Sequence, residues 1–314
     1  MTSIITNSSA MNALQALREV NDSMVTTQDR ISSGLKVGSA KDNAAYFQIS
    51  ETMKGDSSAY ASINEGLTLT KNSVATARLG SETIQDLAQQ FLDKVAFAQG
   101  ATGGQGEIEN DLLELVKQME TTLSQSTFNG DDMLGAGSYA AGDVTGPTID
   151  ATDGSITTAA SNADTTVGVA RDVVTGISRA GGSYATTDIS VGTYDLASRV
   201  SDFKALATNF ETNATNVLTG AAFLAGALGT SEGVVDSVND VATKLGQSEK
   251  SIENQQSFLN KLTDNIDSGV GSMIDADMEE EAARLKALQT QQQLATQALS
   301  IANQAPSNVL SLFQ

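Results

Sequence analysis

From Ala10 the apolar positions recur at alternating intervals of four and three, through Leu14, Leu17, Asn21, Met24, Gln28, Ile31 and Leu35. That is the heptad spacing of a helix packed along a seam, with Asn21 and Gln28 as polar members that can fix register. Gly34 and Gly38 interrupt the stripe. Glycine weakens a helix interior by roughly 1 kcal/mol relative to alanine, so the stretch from Arg30 to Ala45 reads as a joint between helices set at different angles. Beyond it a longer seam runs Tyr60, Ile63, Leu67, Thr70, Val74, Ala77, Ser81, Ile84, Ala88, Phe91, Val95, Ala98 without a break in phase. A helix of that extent is on the order of 60 Å long. Gly100, Gly103, Gly104 and Gly106 stop it, and Ile108, Leu112, Leu115 and Met119 predict a third helix ending near Ser126. Phe128-Asn-Gly then carries a hairpin signal.

Residues 135–193 change character to Gly, Ala, Ser, Thr and Asp, with β-favouring pieces at 155–158, 165–169 and 188–191. They predict a small β-rich or irregular domain. Helical spacing returns at Leu196, Val200, Phe203, Ala207, Phe210, Ala214 and Val217, and Gly220, Gly226 and Gly229 weaken its continuation. A second long seam follows through Val234, Val238, Val241, Leu245, Ser248, Ile252, Gln255, Leu259, Leu262 and Ile266, losing phase near Gly269 and Gly271. A last helix is expected from Ile274, with Met278, Leu285, Leu288, Gln292, Ala295 and Leu299 on one stripe. Pro306 is expected to end it, leaving an apolar tail that contains Leu310, Leu312 and Phe313.

Charge alters this picture at both ends. Residues 1–17 and 287–314 carry no charged side chain, although the chain as a whole has a formal net charge of −20. That net charge argues against nucleic acid or a membrane surface as partner. With no histidine and no cysteine, histidine triads, thiol nucleophiles, zinc fingers and disulfides are excluded. No cofactor is implied. Asp275-x-Asp277 invites a calcium reading, but Glu280 and Lys286 stand where the loop template needs Gly and Glu. Acids at a helix N-terminus, favoured by the macrodipole, explain the cluster better. The first residues have no basic region and no sustained apolar run, so no cleaved secretory signal is expected.

The plan is near-symmetric. A short uncharged terminal helix and a long seam helix stand at each end, which predicts a mainly α fold: a long antiparallel helical coiled-coil rod with a small middle domain. Uncharged stripes at both termini would be a solubility liability if left exposed. Their natural use is contact between copies of the same chain, and an interface that does not close gives an open helical polymer. Alone, such termini cannot offset about 1–2 kcal/mol per residue of backbone ordering, so roughly residues 1–40 and 275–314 are expected to order only on assembly.

The joint Arg30-Ile-Ser-Ser-Gly-Leu-Lys-Val-Gly-Ser-Ala-Lys-Asp-Asn-Ala-Ala-Tyr resembles the bacterial flagellin signature, with Asn43 and Tyr46 departing from the usual Asp and Gly. Phe128-Asn-Gly, Leu245-Gly246, Asp275-Ala-Asp-Met and the ending from Ala298 to Phe313 are similar to flagellin motifs in the same order. The resemblance covers roughly 1–134 and 234–314. It implies a filament subunit in which 1–43 and 275–314 form inner-tube helices (D0), 44–134 and 194–274 a surrounding helical layer (D1), and 135–193 an exterior domain. It implies an extracellular location, export without a cleaved signal peptide, and as partners other copies, an export chaperone, a filament cap and hook–filament junction proteins. No enzymatic role is implied. The junction protein itself is the alternative, disfavoured by the Asn-Val-Leu-Ser-Leu-Phe ending and the strong joint motif. The expected polymerisation and inter-helix seam is Ala10, Leu14, Leu17, Met24, Ile31, Leu35, Leu285, Leu288, Leu299, Leu310, Leu312 and Phe313. The expected joint residues are Arg30, Ser33, Gly34, Gly38, Ala40, Asp42 and Ala44, with Arg30 and Asp42 as a candidate ion pair.

Overall fold

A computed structural model describes residues 7–135, 147–157, 171–178 and 185–310, with side chains as far as Gln304. The elements in order are α1 (Ser8–Ser33), α2 (Ala44–Gly100), α3 (Gln105–Gln125), β1 (Thr148–Ile149), β2 (Ile156–Thr157), β3 (Arg171–Ser178), β4 (Ala185–Val191), α4 (Leu196–Ala207), α5 (Phe210–Ala214), α6 (Gly220–Ile274) and α7 (Met278–Leu310). The fold is mainly α, with two antiparallel strand pairs among the described residues, β1 with β2 and β3 with β4. The chain divides into two compact units, residues 60–261 and residues 1–59 with 262–314.

In the unit 60–261 the long seam is the core. Leu67, Val74, Ala77, Ile84, Ala88, Phe91, Val95 and Ala98 of α2 are fully buried, clustered with Val238, Val241, Leu245 and Ile252 of α6. The two helices run antiparallel, as their cross-links record: Lys71 to Glu253 at 2.9 Å, Arg78 to Glu249 at 2.8 Å, and Gln99 Nε2 to the Leu224 carbonyl at 3.2 Å. Helices α3 and α4 complete the core. Phe203 of α4 sits 4.5 Å, centroid to centroid, from Phe91. Between α3 and β1, Phe128 and Asp131 exchange backbone hydrogen bonds of 3.0 and 2.8 Å across Asn129 and Gly130, both at positive φ. That is the geometry of the tight hairpin expected there.

The β3–β4 hairpin, with a bulge between Val174 and Gly176, lies on this helical core. Tyr60 donates to the Ile177 carbonyl at 2.9 Å, and Gln255 to that of Thr175 at 2.9 Å. Arg171 forks onto Asp131, which also accepts from Ser73; first the Arg171 guanidinium and then the Ser73 hydroxyl hold its carboxyl below the usual range. Of the β pieces read from sequence, 188–191 lies in β4 and 156–157 forms β2, while 165–169 falls outside the described residues.

Three helix boundaries differ from expectation. The glycines at 226 and 229 lie inside α6, where a side chain at 226 would sit 3.3 Å from Ile156 Cδ1, so β2 packs on the bare backbone. The same helix continues through Gly269 and Gly271 to Ile274, and the next begins at Met278, because the Asp277 carboxylate caps it by accepting from Glu279 and Glu280 N–H at 3.0 and 3.2 Å. Pro306 lies within α7. It has no N–H for the Ala302 carbonyl, and that carbonyl instead accepts from Asn7 Nδ2 at 2.8 Å.

Asp202 of α4 is 2% exposed and accepts from Arg199 at 3.1 Å. Burial pushes its pKa up to about 6, opposed by Arg199 and reinforced by Asp195. A carboxyl whose pKa is raised on folding binds its proton more readily in the folded chain, so its favourable contribution is lost as pH climbs from about 4 through 6. The unsubstituted chain is therefore expected to lose about 1–3 kcal/mol of stability relative to Asp202→Asn between pH 4 and 7. Urea titrations in which the difference stays constant with pH would contradict this.

Candidate assembly surfaces

The second unit is built on a pair of helices and a clasp. Asn7 caps α1 by accepting from Ala10 N–H at 3.0 Å, and Gly34 at φ 73 ends it, its N–H donating to the Arg30 carbonyl. Helices α1 and α7 lie antiparallel. Asn7 meets Ala302, Gln292 Nε2 donates to Asn21 Oδ1 at 2.8 Å, and Arg30 pairs with Glu281 at 3.1 Å. On α7 the positions 281, 285, 288, 292, 295, 299 and 302 turn inward, keeping the heptad spacing. On α1 the inward face is Ala10, Ala13, Leu17, Val20, Asn21, Met24, Thr27 and Ile31. Its stripe steps 10, 13, 17, 20, 24, 27, 31, so Leu14 and Gln28 lie off it and are exposed, while Thr27 is buried.

The clasp is formed where the chain leaves α1 and where it enters α7. Leu35 bridges Asp275; Ala276 N–H donates to the Gly34 carbonyl at 2.8 Å, and Lys36 and Val37 N–H both donate to the Ile274 carbonyl. Beneath it Val37, Val270 and Ile274 are buried against Leu35, Phe47, Met53, Ile266 and Met273. Ser33 contributes its hydroxyl, which donates to the Asp29 carbonyl and accepts from Leu35 N–H. Asp42 does not pair with Arg30: it accepts from the Ser39 hydroxyl at 2.9 Å and from the Ser39 and Gly38 amides. Those donors, the Ser39 hydroxyl first, hold its carboxyl below the ordinary range. Arg30 turns instead to Glu281, which is largely buried. Ala40 and Ala44 are exposed, and the Asn43 side chain caps α2 by accepting from Ala45 and Tyr46 N–H.

Of the expected seam, Ala10, Leu17, Met24, Ile31, Leu35, Leu285, Leu288 and Leu299 are half-buried. Leu310 stands in the last turn of α7, and Leu312 and Phe313 lie outside the described residues. The pairing covers one stripe of each helix. Met11, Leu14, Val25, Leu294 and Ile301 remain exposed on the other faces, a spread that the heptad reading did not find. Large apolar side chains shown on several faces of helices whose outer ends carry no charge mark surfaces to be covered by partners.

These features define a structural subunit of a helical assembly. Residues 4–139 match the profile of the bacterial flagellin N-terminal helical region, and residues 228–313 that of the C-terminal helical region. Over the full length of both chains, the sequence is 37% identical to flagellin C of Rhizobium meliloti strain 1021 and 35% identical to flagellin of Brucella melitensis biotype 1. It is 34% identical to flagellin A of Rhizobium meliloti over the same coverage. The chain belongs to the flagellin family: it is a structural subunit that polymerises into the extracellular filament of the bacterial flagellum, which serves motility.

Proposed function

We propose that residues 1–43 with 275–314 line the inner tube of the filament, that 44–134 with 194–274 build the layer around it, and that 135–193 face outward. The observation that carries this is the half-covered α1–α7 pair, whose remaining apolar faces sit in the charge-poor ends of a strongly acidic chain. In this reading neighbouring copies cover Met11, Leu14, Val25, Leu294 and Ile301 and bury further the half-covered seam of Leu17, Met24, Leu285, Leu288 and Leu299, with Leu310, Leu312 and Phe313 at its end. The clasp of Arg30, Ser33, Gly34, Gly38 and Asp42 fixes the angle at which the terminal helices leave the joint. The chain acts mechanically and carries no catalysis. It leaves the cell through the flagellar export apparatus without a cleaved signal, aided by an export chaperone, and adds beneath a cap beyond the hook–filament junction proteins. No observation favours the junction protein as an identity for this chain.

Seeded elongation followed by electron microscopy tests the reading: purified chain should extend filament seeds by many subunits, and incorporation that stops after a single ring would contradict it. Gly34→Val should slow elongation about tenfold while leaving soluble expression and helical content intact. A β-branched residue at φ 73 stores about 1–3 kcal/mol of strain at the clasp. Elongation at the unsubstituted rate would remove the joint from the account.

A further inference from the structure

Arg199 and Asp202 stand one turn apart on α4 at 5% and 2% exposure, the guanidinium donating to the carboxylate at 3.1 Å. A buried ion pair adds little or nothing to stability over apolar side chains of the same size, so packing alone gives no reason for this one. The pair does not face a closed core. It lines a groove of about 420 Å³ whose opposite wall is α6. That wall is set back, because Gly229 and Gly233 lie one turn apart along it. A Cβ at either would meet no atom within 4 Å among the described residues.

Helix α6 lines the groove with no charged residue, and its flanking acids Glu232 and Asp236 are exposed. The Ser237 hydroxyl donates to the Gly233 carbonyl at 2.9 Å, which leaves Thr230 as the donor hydroxyl of that wall. On α4, Asp195 works against ionisation of Asp202, while Glu120 of α3 is ion-paired with Lys204 at 3.0 Å. Arg199 is thus the cation of the groove and Asp202 its counter-charge.

We propose that the α4–α6 groove is a binding site for a small oxyanion, held by the Arg199 guanidinium with the Thr230 hydroxyl. The planar fork of an arginine matches two oxygens of such an anion, and the bare backbone at Gly229 and Gly233 gives it room. The anion and the Asp202 carboxylate compete for one guanidinium, so binding is coupled to protonation of Asp202. By linkage, each makes the other more favourable. Because the Asp202 pKa lies at about 6, the groove is receptive below that pH and closed to anions above it. The site lies wholly within the unit 60–261 and does not depend on the filament reading.

Calorimetric titration of the full-length monomer with sulfate at fixed ionic strength is the test, since sulfate keeps its charge between pH 5 and 8. The net charge of −20 disfavours anion binding elsewhere on the chain. Sulfate should bind at pH 5 and about tenfold or more weakly at pH 8, with buffer-dependent heats that record proton uptake. Asp202→Asn should keep the pH 5 affinity at pH 8, and Arg199→Gln should lose it at both. Gly229→Leu fills the groove from an open helical position and leaves the ion pair in place. It should abolish binding without lowering the urea midpoint, because leucine favours a helix over glycine. No binding at pH 5, an affinity that ignores pH, or undiminished binding by Gly229→Leu would each overturn the proposal.

Discussion

Phe203→Ala will lower the unfolding free energy of the monomer by about 3–5 kcal/mol, the cost of emptying a fully buried aromatic site. The ring meets Phe91 at 4.5 Å inside the continuous core of residues 60–261, where α2, α3, α4 and α6 leave no room for collapse around a cavity. Leu17→Ala, on a stripe that is only half-buried, should change the same urea transition by less than about 0.5 kcal/mol. The contrast follows from where the core lies. A loss at Leu17 as large as that at Phe203 would mean that the terminal helix pair shares the cooperative core of the monomer.

The reverse holds for assembly. Leu285→Asp is expected to leave the monomer transition unchanged and to raise the critical concentration for filament growth about 100-fold or more. In the monomer the terminal helix pair cannot offset its ordering entropy, so the new carboxylate stays in water. In the filament it would be desolvated without a partner, and a penalty of about 3 kcal/mol corresponds to roughly a hundredfold in an association constant. Measuring the soluble fraction left after seeded growth reads this out. An unchanged value would take Leu285 out of the polymer contact.

The sequence made the long helices legible because their burial is one-sided and repetitive. Every strongly apolar position of the α2 seam from Leu67 to Ala98 is fully buried, and the α7 stripe keeps the spacing that Leu285, Leu288, Gln292, Ala295 and Leu299 predict. It misled where a glycine or proline signal was outweighed by a tertiary partner. Ile156 fits onto Gly226, and Asn7 serves the carbonyl that Pro306 frees. Gly80 marks the opposite failure: it sits silently in a helical seam, yet a side chain there would fall 1.9 Å from Ser126 Oγ, so α3 ends against bare backbone. The clasp was legible as a break but not as a pairing, because nothing in local spacing links Gly34 to Ala276 or Arg30 to Glu281. Val217 continues a helical stripe in the sequence, and only its position on a turn gives it to solvent.

In the proposed filament the terminal helices are incomplete until neighbours cover them. Among the described residues of that unit few side chains are buried, chiefly Thr27, Ser50, Glu281 and the small cluster of Val37, Val270 and Ile274. A lone helix pair with so little buried surface cannot offset its ordering entropy. Amide hydrogen exchange across residues 8–33 and 278–304, measured on verified monomer and on assembled filament, is the most direct measurement. Near-unprotected exchange is expected in the monomer and protection rising by about a thousandfold or more in the filament, with residues 67–98 protected in both. Terminal helices as strongly protected in the monomer as the α2 core would contradict it.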